Sequence, residues 1–100
     1  MNLSEKQKKY LRGLGHQLKP AILIGGGGLT KSVIEEFEST IDHHELVKVR
    51  TRVGNREKRN LVINKLCDIA GCSLIQRVGN VALIYRPRKD KPIIPLPTQR

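Results

Sequence analysis

Apolar side chains in this chain follow two spacings, one typical of helices and the other typical of strands. Residues 5–14 carry apolar positions three and four apart behind a capping-box pair, Ser4 and Gln7, which predicts a first helix. The same spacing predicts a second helix after Thr30, a residue type that caps helix starts, and a third that ends at Gly71. Three amphipathic helices are therefore expected.

Four further segments are short or alternate with period two, and we predict them as strands. Residues 20–24 form an apolar run that opens with proline, which favours a buried strand. Residues 45–53 alternate valine and threonine with basic side chains, which predicts one buried and one basic face. Residues 72–78 and 81–86 flank the pair Gly79-Asn80, a connection of the length used in tight antiparallel hairpins.

The predicted order is helix, strand, helix, strand, helix, strand, strand, which defines an α/β fold with a four-stranded mixed sheet. Strand-helix-strand units favour parallel pairing through right-handed crossovers, and the terminal hairpin adds an antiparallel pair. Crossovers of this hand between successive neighbouring strands place their helices on one sheet face. We therefore expect the opposite face to be partly open and to carry Lys48, Arg50 and Arg52.

The length of 100 residues predicts one compact domain. We place it at residues 1–87, because four prolines after Arg86 oppose regular structure and predict a mobile basic tail over residues 88–100. With 38% hydrophobic residues but only three aromatics, the core must be aliphatic. No export signal or membrane span is evident, so we expect a soluble, cytoplasmic protein. In that compartment Cys67 and Cys72 are expected to be reduced thiols. We also expect the free protein to be a monomer.

The formal charge of +10 and the pI near 10.1 arise from clusters of basic residues. Residues 1–29 hold five cations and one acid, residues 45–60 six cations and two acids, and residues 86–100 five cations and one acid. Residues 30–44 are acidic instead. Because clustered cations neutralise neighbouring phosphates and release their counterions, this distribution favours a nucleic acid as the partner.

Four consecutive glycines, Gly25 to Gly28, connect the first strand to the second helix. They lack the lysine that a Walker loop needs after its last glycine, and Thr30 stands where a dinucleotide fingerprint needs glycine or alanine. They do satisfy G-x-x-G, the loop with which KH-type domains clamp nucleotide backbone. A tight turn that needs positive φ is the structural alternative, and the flanking Lys19 and Lys31 favour phosphate binding.

Several short motifs occur together in one order: Lys19-Pro20, Gly25-x-x-Gly28-Leu29-Thr30, His44 to Val49, Val78-Gly79 and Leu83 to Pro87. In this order and spacing they resemble the YhbY proteins, the stand-alone bacterial form of the CRM (chloroplast RNA splicing and ribosome maturation) domain, over about residues 2–87. The resemblance implies a non-catalytic RNA-binding α/β domain similar to the C-terminal domain of translation initiation factor three. It also implies association with precursors of the large ribosomal subunit.

The same resemblance implies that Gly25 and Gly28 are fixed points of an RNA-contacting loop, and that Lys48 and Arg86 contact RNA from two strands. The chain departs from the family pattern at Asn80, where a cation is common, and at its all-glycine loop tip, which has no side chain to read a base. We therefore expect sequence-independent binding to the RNA backbone. The predicted RNA-binding residues are Lys19, Gly25, Gly26, Gly27, Gly28, Thr30, Lys31, Lys48, Arg50, Arg52, Arg56, Arg86, Arg88, Lys89 and Lys91.

Two other functions are compatible with a basic chain and a glycine loop. The loop could hold the phosphate of a small substrate in an enzyme, although Glu45 beside His44 has no nucleophile, cofactor motif or second carboxylate with it. The basic first helix and tail could attach to an anionic membrane, although that helix lacks Trp or Phe. The histidines and cysteines show no metal-binding spacing, so we expect no metal, no cofactor, no small-molecule substrate and no membrane partner.

Overall fold

The computed structural model describes residues 2–98, and in that range it contains the predicted helices and strands in the predicted order. The elements are α1 (Glu5–Gly15), β1 (Pro20–Ile24), α2 (Lys31–His44), β2 (Leu46–Thr51), α3 (Arg56–Ala70), β3 (Ser73–Val78) and β4 (Val81–Tyr85). The four strands form one mixed sheet. The predicted α/β fold class is therefore confirmed.

Local side-chain hydrogen bonds fix where the helices begin. The Ser4 hydroxyl accepts a hydrogen bond from the Gln7 amide at 3.1 Å, and the Gln7 side chain accepts one from the Ser4 amide at 3.1 Å, which completes the predicted capping box. Thr30 caps α2 by accepting from the Val33 amide, and Asn55 caps α3 in the same way. Each cap satisfies a backbone donor that has no partner inside its helix.

Helix α1 ends where it meets the sheet. Its last residue is Gly15, one residue beyond the predicted end, and Gly13 lies inside the helix rather than ending it. A Cβ atom at Gly15 would lie 2.5 Å from Cδ2 of Leu83, a distance that two carbon atoms do not tolerate. Glycine therefore allows the end of α1 to contact the sheet directly.

The strand order is β1-β2-β4-β3. Strand β1 pairs with β2 in parallel, as the crossover through α2 predicts. Strands β2 and β3 have the same direction but are not neighbours, because β4 lies between them and pairs antiparallel with both. The α3 crossover therefore joins two parallel strands that are not neighbours. The tight turn at Gly79, with φ of +59°, places β4 beside β3, in the space between β3 and β2.

Strand β1 is an edge strand, and the predicted burial holds for only one side of it. Ile22 and Ile24 are buried, whereas Leu23 between them is 51% exposed. Proline at the first position, Pro20, suits an edge because it has no amide to donate to a further strand. One side of this apolar run therefore faces outward.

Two apolar clusters lie on opposite faces of the sheet. Helices α2 and α3 cover one face, here called the α2/α3 face, where Phe37 and Leu66 pack against Val49 and Ile84. The opposite face, here called the α1 face, carries a smaller cluster in which Leu11 of α1 packs with Tyr85 and its neighbours. As predicted, the two crossover helices share one face. Helix α1 covers part of the other.

Residues 86–98 form no helix or strand but contact the domain at several points. The buried carboxylate of Glu45 accepts hydrogen bonds from the amides of Arg88, Ile93 and Ile94 at 2.6, 2.8 and 2.7 Å. Ile94 and Leu96 also pack against the cluster on the α1 face. We therefore expect the tail to stay on the domain, in contrast to the mobile arm that its prolines predict. Its last two residues, 99 and 100, lie outside the described range.

Candidate nucleic-acid interface

The carboxyl ends of β1 and β2 and the β3–β4 turn lie together at one end of the sheet, measured along the strands. We call this the loop end. The Arg52 amide donates a hydrogen bond to the Ile24 carbonyl at 2.8 Å, and the Thr51 amide donates one to the Asn80 carbonyl at 2.8 Å. These bonds hold the residues after β2 between the glycine loop and the hairpin turn. Three chain segments that are distant in sequence therefore form one surface.

The glycine loop closes as a tight turn that needs glycine at one position. The Gly28 amide donates to the Gly25 carbonyl at 3.0 Å, and Gly28 has a φ of +71°. A Cβ atom at Gly25 or Gly26 would meet nothing within 4 Å, and one at Gly27 would make an ordinary contact with Thr30. The turn explanation therefore accounts for Gly28 alone, and the other glycines leave backbone amides accessible to a ligand.

Two helices begin at the loop end. Helix α2 starts at Lys31, three residues after Gly28, and α3 starts at Arg56, a few residues after β2 ends. Each helix N-terminus carries about half a positive charge and amides that point outward along the axis. Both helix dipoles therefore favour an anion at this end of the sheet.

Cations surround these helix starts. Arg52, Arg56 and Lys58 are exposed, and among residues 2–98 none of them forms a salt bridge. Lys31 has a 92% exposed side chain, and its Nζ atom lies 4.0 Å from the Glu35 carboxylate, a pairing of little energy in water. The predicted residues Lys31, Arg52 and Arg56 are therefore brought together. Lys58 was not among the RNA-binding residues predicted from the sequence. Its position in the first turn after the Asn55 cap could have indicated that it lies at a helix start.

Lys48 and Arg50 lie in the middle of β2, on the α1 face, and are half-buried. No acidic side chain pairs with either of them within the described part of the chain. Lys19 precedes β1 and is separated from the glycine loop by the whole strand, about 16 Å at the usual rise of a strand. Lys19 therefore lies nearer to Lys48 than to the glycine loop. From the sequence it was predicted as a cation that flanks that loop.

Arg86 and the tail cations lie at the opposite end of the sheet, which we call the far end. The Arg86 guanidinium donates to the Glu38 carboxylate at 2.9 Å and to the Ala70 carbonyl at 2.8 Å, so it joins α2 to α3. It lines a depression of about 1040 Å³ that also contains the acidic side chains Glu38, Asp42, Asp68 and Asp90. The structure therefore does not bring Arg86, Arg88, Lys89 and Lys91 to the glycine loop.

The two cysteines and Tyr85 lie in or beside the apolar clusters. Burial raises the pKa of the Cys67 thiol to about 11 and that of Cys72 to about 12, so both free thiols stay protonated at neutral pH. Tyr85 is 1% exposed and belongs to the core. Within residues 2–98 no group of three or more His, Cys, Asp or Glu side chains could hold a metal, and no helix is long and apolar enough to cross a membrane.

These observations define a small basic α/β domain in which Arg52, Arg56 and Lys58, without salt bridges in the described part of the chain, lie near the glycine loop and two helix starts. The model of the CRS1 / YhbY (CRM) domain family matches residues 3–86, and the chain belongs to this family. This finding confirms the resemblance stated from the sequence motifs.

Relatives and a solved structure agree with this assignment. The chain is 40% identical over 91 residues to a Haemophilus influenzae protein named RNA-binding protein, which covers 91% of this chain and 92% of the relative. It is 37% identical over 93 residues to a probable RNA-binding protein of Pseudomonas aeruginosa, covering 91% of this chain and 89% of that one. The solution structure of a Staphylococcus aureus hypothetical protein matches with a TM-score of 0.81 and 33% identity, covering 96% of this chain and all of that one.

Proposed function

We propose that this protein is a non-catalytic RNA-binding protein that acts on ribosomal RNA in precursors of the large ribosomal subunit. The observation that carries the proposal is the coincidence, at the loop end, of an accessible glycine loop, two helix N-termini and cations without acidic partners in the described range. The names of the relatives support RNA as the polyanion. Membership of a family named in part for ribosome maturation supports the choice of ribosomal RNA.

Binding at the loop end would be directed to phosphates. The amides of Gly26 and Gly27 and the start of α2 would donate hydrogen bonds to one phosphate, and Arg52, Arg56 and Lys58 would neutralise its neighbours along the strand. An interface of amides and flexible cations positions a nucleic acid without reading its sequence. The proposed protein therefore recognises RNA first through its backbone.

Two groups of three cations allow a matched test of where RNA binds. Replacing Arg52, Arg56 and Lys58 by alanine removes the same charge as replacing Arg88, Lys89 and Lys91, and all six side chains are exposed. A phosphate contact on single-stranded RNA contributes about 0.7 to the slope of log affinity against log salt. We expect the loop-end variant to lose about 2 from that slope and the far-end variant less than about 1, in fluorescence anisotropy titrations between about 50 and 200 mM salt.

Equal losses in the two variants would show that net charge, rather than the loop end, governs binding. Thermal unfolding of both variants checks that neither substitution disturbs the fold. A mononucleotide titration tests the alternative that the glycine loop holds a small phosphorylated substrate: tight saturation that RNA does not displace would favour that alternative and contradict the proposal.

The ribosomal RNA partner is tested in cells. Ultraviolet crosslinking of the protein in growing cells, followed by gradient fractionation and sequencing of the attached RNA, is expected to give reads on large-subunit ribosomal RNA in precursor fractions. A variant with Gly27→Asp serves as the control and is expected to lose these reads. Reads scattered over all cellular RNA would contradict the ribosomal part of the proposal and leave general RNA binding in place.

A further inference from the structure

Beside the end of α1, at His16, a part of the α1 face forms an open groove. Across this part, Lys48 pairs in register with Pro20 on one side and with Leu83 on the other, and Leu83 pairs with Gln76. The next row toward the loop end contains Leu23, Arg50, Val81 and Val78 in the same strand order. Residues from both rows line a groove of about 380 Å³, which lies within the usual range of small-molecule sites.

The exposed side chains of this groove are partly apolar. Val78, which lines the groove, is 66% exposed, and Leu23, which borders it on β1 in register with Arg50, is 51% exposed. Each lies on an edge strand, and the two basic residues of β2 lie between these edges. Phosphate binding requires cations and amides but gives no reason for exposed aliphatic side chains. A nucleobase has both an apolar face and a polar edge, and it would match the aliphatic surface and the Gln76 amide, which can both donate and accept.

We propose that this groove binds an unstacked RNA base, which makes the protein a reader of single-stranded or bulged RNA; the inference rests on the RNA-binding function proposed above. The base would lie on the aliphatic side chains of Val78 and Val81, while Lys48 and Arg50 hold the phosphates beside it. Duplex RNA keeps its bases paired and stacked, so it cannot place one on the sheet.

Charge and continuity favour RNA over another occupant. Lys48 and Arg50 have no acidic partner within residues 2–98, which suits a polyanion better than an apolar protein segment. The groove also continues into the loop end, because β1 leads directly into the glycine loop and Arg50 is two residues from Arg52. An RNA strand with phosphates at the loop end would therefore pass across this part of the sheet.

The test replaces the aliphatic edges without changing charge. The double variant Leu23→Thr with Val78→Thr, here called the strand variant, keeps β-branched side chains and so keeps the strand propensity. It loses the exposed apolar surface of both edges. The matched control is Leu61→Gln with Ile69→Gln on α3, which removes residues of similar exposure, 63% and 49%, away from the groove. Affinity is measured by fluorescence anisotropy for a single-stranded RNA, the same RNA with abasic positions, and a duplex.

We expect the strand variant to bind single-stranded RNA roughly tenfold more weakly, with an unchanged salt slope and unchanged duplex affinity. The control should bind like the unmodified protein, and abasic RNA should bind the unmodified protein about as weakly as normal RNA binds the variant. A 4-thiouridine RNA should crosslink within residues 76–83.

The outcomes separate this inference from the function on which it rests. Unchanged single-strand affinity in the strand variant, together with a loss in Gly27→Asp, would overturn the base-binding groove and leave the RNA-binding proposal intact. Equal losses for single-stranded and duplex RNA would also overturn the groove as a base site. Failure of the unmodified protein to bind either RNA would overturn the proposed function itself.

Discussion

Replacing Glu45 by glutamine is expected to destabilise the domain by about 2–3 kcal/mol. The Glu45 carboxylate is fully buried and accepts three backbone hydrogen bonds, from Arg88, Ile93 and Ile94. Glutamine keeps the size of the side chain but loses the charge and turns one acceptor oxygen into an NH₂ donor, which then faces a backbone N–H. Urea unfolding followed by circular dichroism measures the loss as a lower free energy of unfolding.

The control for this substitution is Glu36→Gln, which changes the same chemical group on the exposed side of α2 and should alter the free energy of unfolding by less than about 0.5 kcal/mol. Truncation after Pro87 should also destabilise the domain, because it removes the three donors to the Glu45 carboxylate and uncovers the apolar cluster beneath Ile94 and Leu96. If Glu45→Gln and the truncation both unfold like the unmodified protein, the tail is a separate arm, as its prolines predict.

The backbone at Glu45 supports its role in holding the tail. Glu45 has a φ of +66°, in a region that residues other than glycine rarely occupy. Its amide donates a hydrogen bond to the Ile41 carbonyl, which is the last hydrogen bond of α2. Such a conformation costs on the order of 1 kcal/mol and persists where surrounding contacts require it. Here the positive φ ends α2 directly before β2, and the carboxylate of the same residue binds the tail.

Sequence reasoning could not have found this contact. From the sequence, Glu45 is only the residue beside His44 at the start of the second predicted strand. The three donors lie 43 to 49 residues later in the chain, in a segment without periodic pattern. Prolines describe the local conformation of the tail, which is irregular as predicted, but they carry no information on what it contacts.

Local features of the fold were predicted well because their causes are local. The capping box at Ser4, the Thr30 cap and the left-handed glycine at Gly71 each depend on residues within about one helical turn, and each is present. Strand order depends on which strands pair across the whole chain. The edge position of β1 and the insertion of β4 between β2 and β3 therefore became visible only in the folded structure.

In the candidate site, too, local features were predicted and contacts between distant segments were not. The glycine loop and its cations were identified from their spacing, but Lys19 and Arg86 were grouped with them on the basis of chain position and motif match. The fold instead brings α3 to the loop, and with it Lys58. It places Arg86 between α2 and α3, where its charge is balanced by Glu38.

The largest expected effect on binding comes from Gly27→Asp. A carboxylate at the loop tip would face the phosphate that the loop amides are proposed to hold, and repulsion over about 4 Å costs roughly 1–4 kcal/mol at the dielectric constants of a protein surface. RNA affinity should therefore fall at least tenfold, by anisotropy at constant salt. Folding should be unaffected, because Gly27 is exposed, has no positive φ, and a Cβ there would lie 3.6 Å from the Thr30 methyl group.

Two controls separate repulsion at the loop from other effects of this substitution. Gly27→Asn has nearly the same shape without the charge and should lose much less affinity than Gly27→Asp. Gly13→Asp adds the same charge at another exposed glycine with open space around it, on α1, and should lower affinity only slightly through net charge. If Gly27→Asp binds RNA as well as Gly13→Asp does, the glycine loop does not contact phosphate, and the interface must be sought along β2 alone.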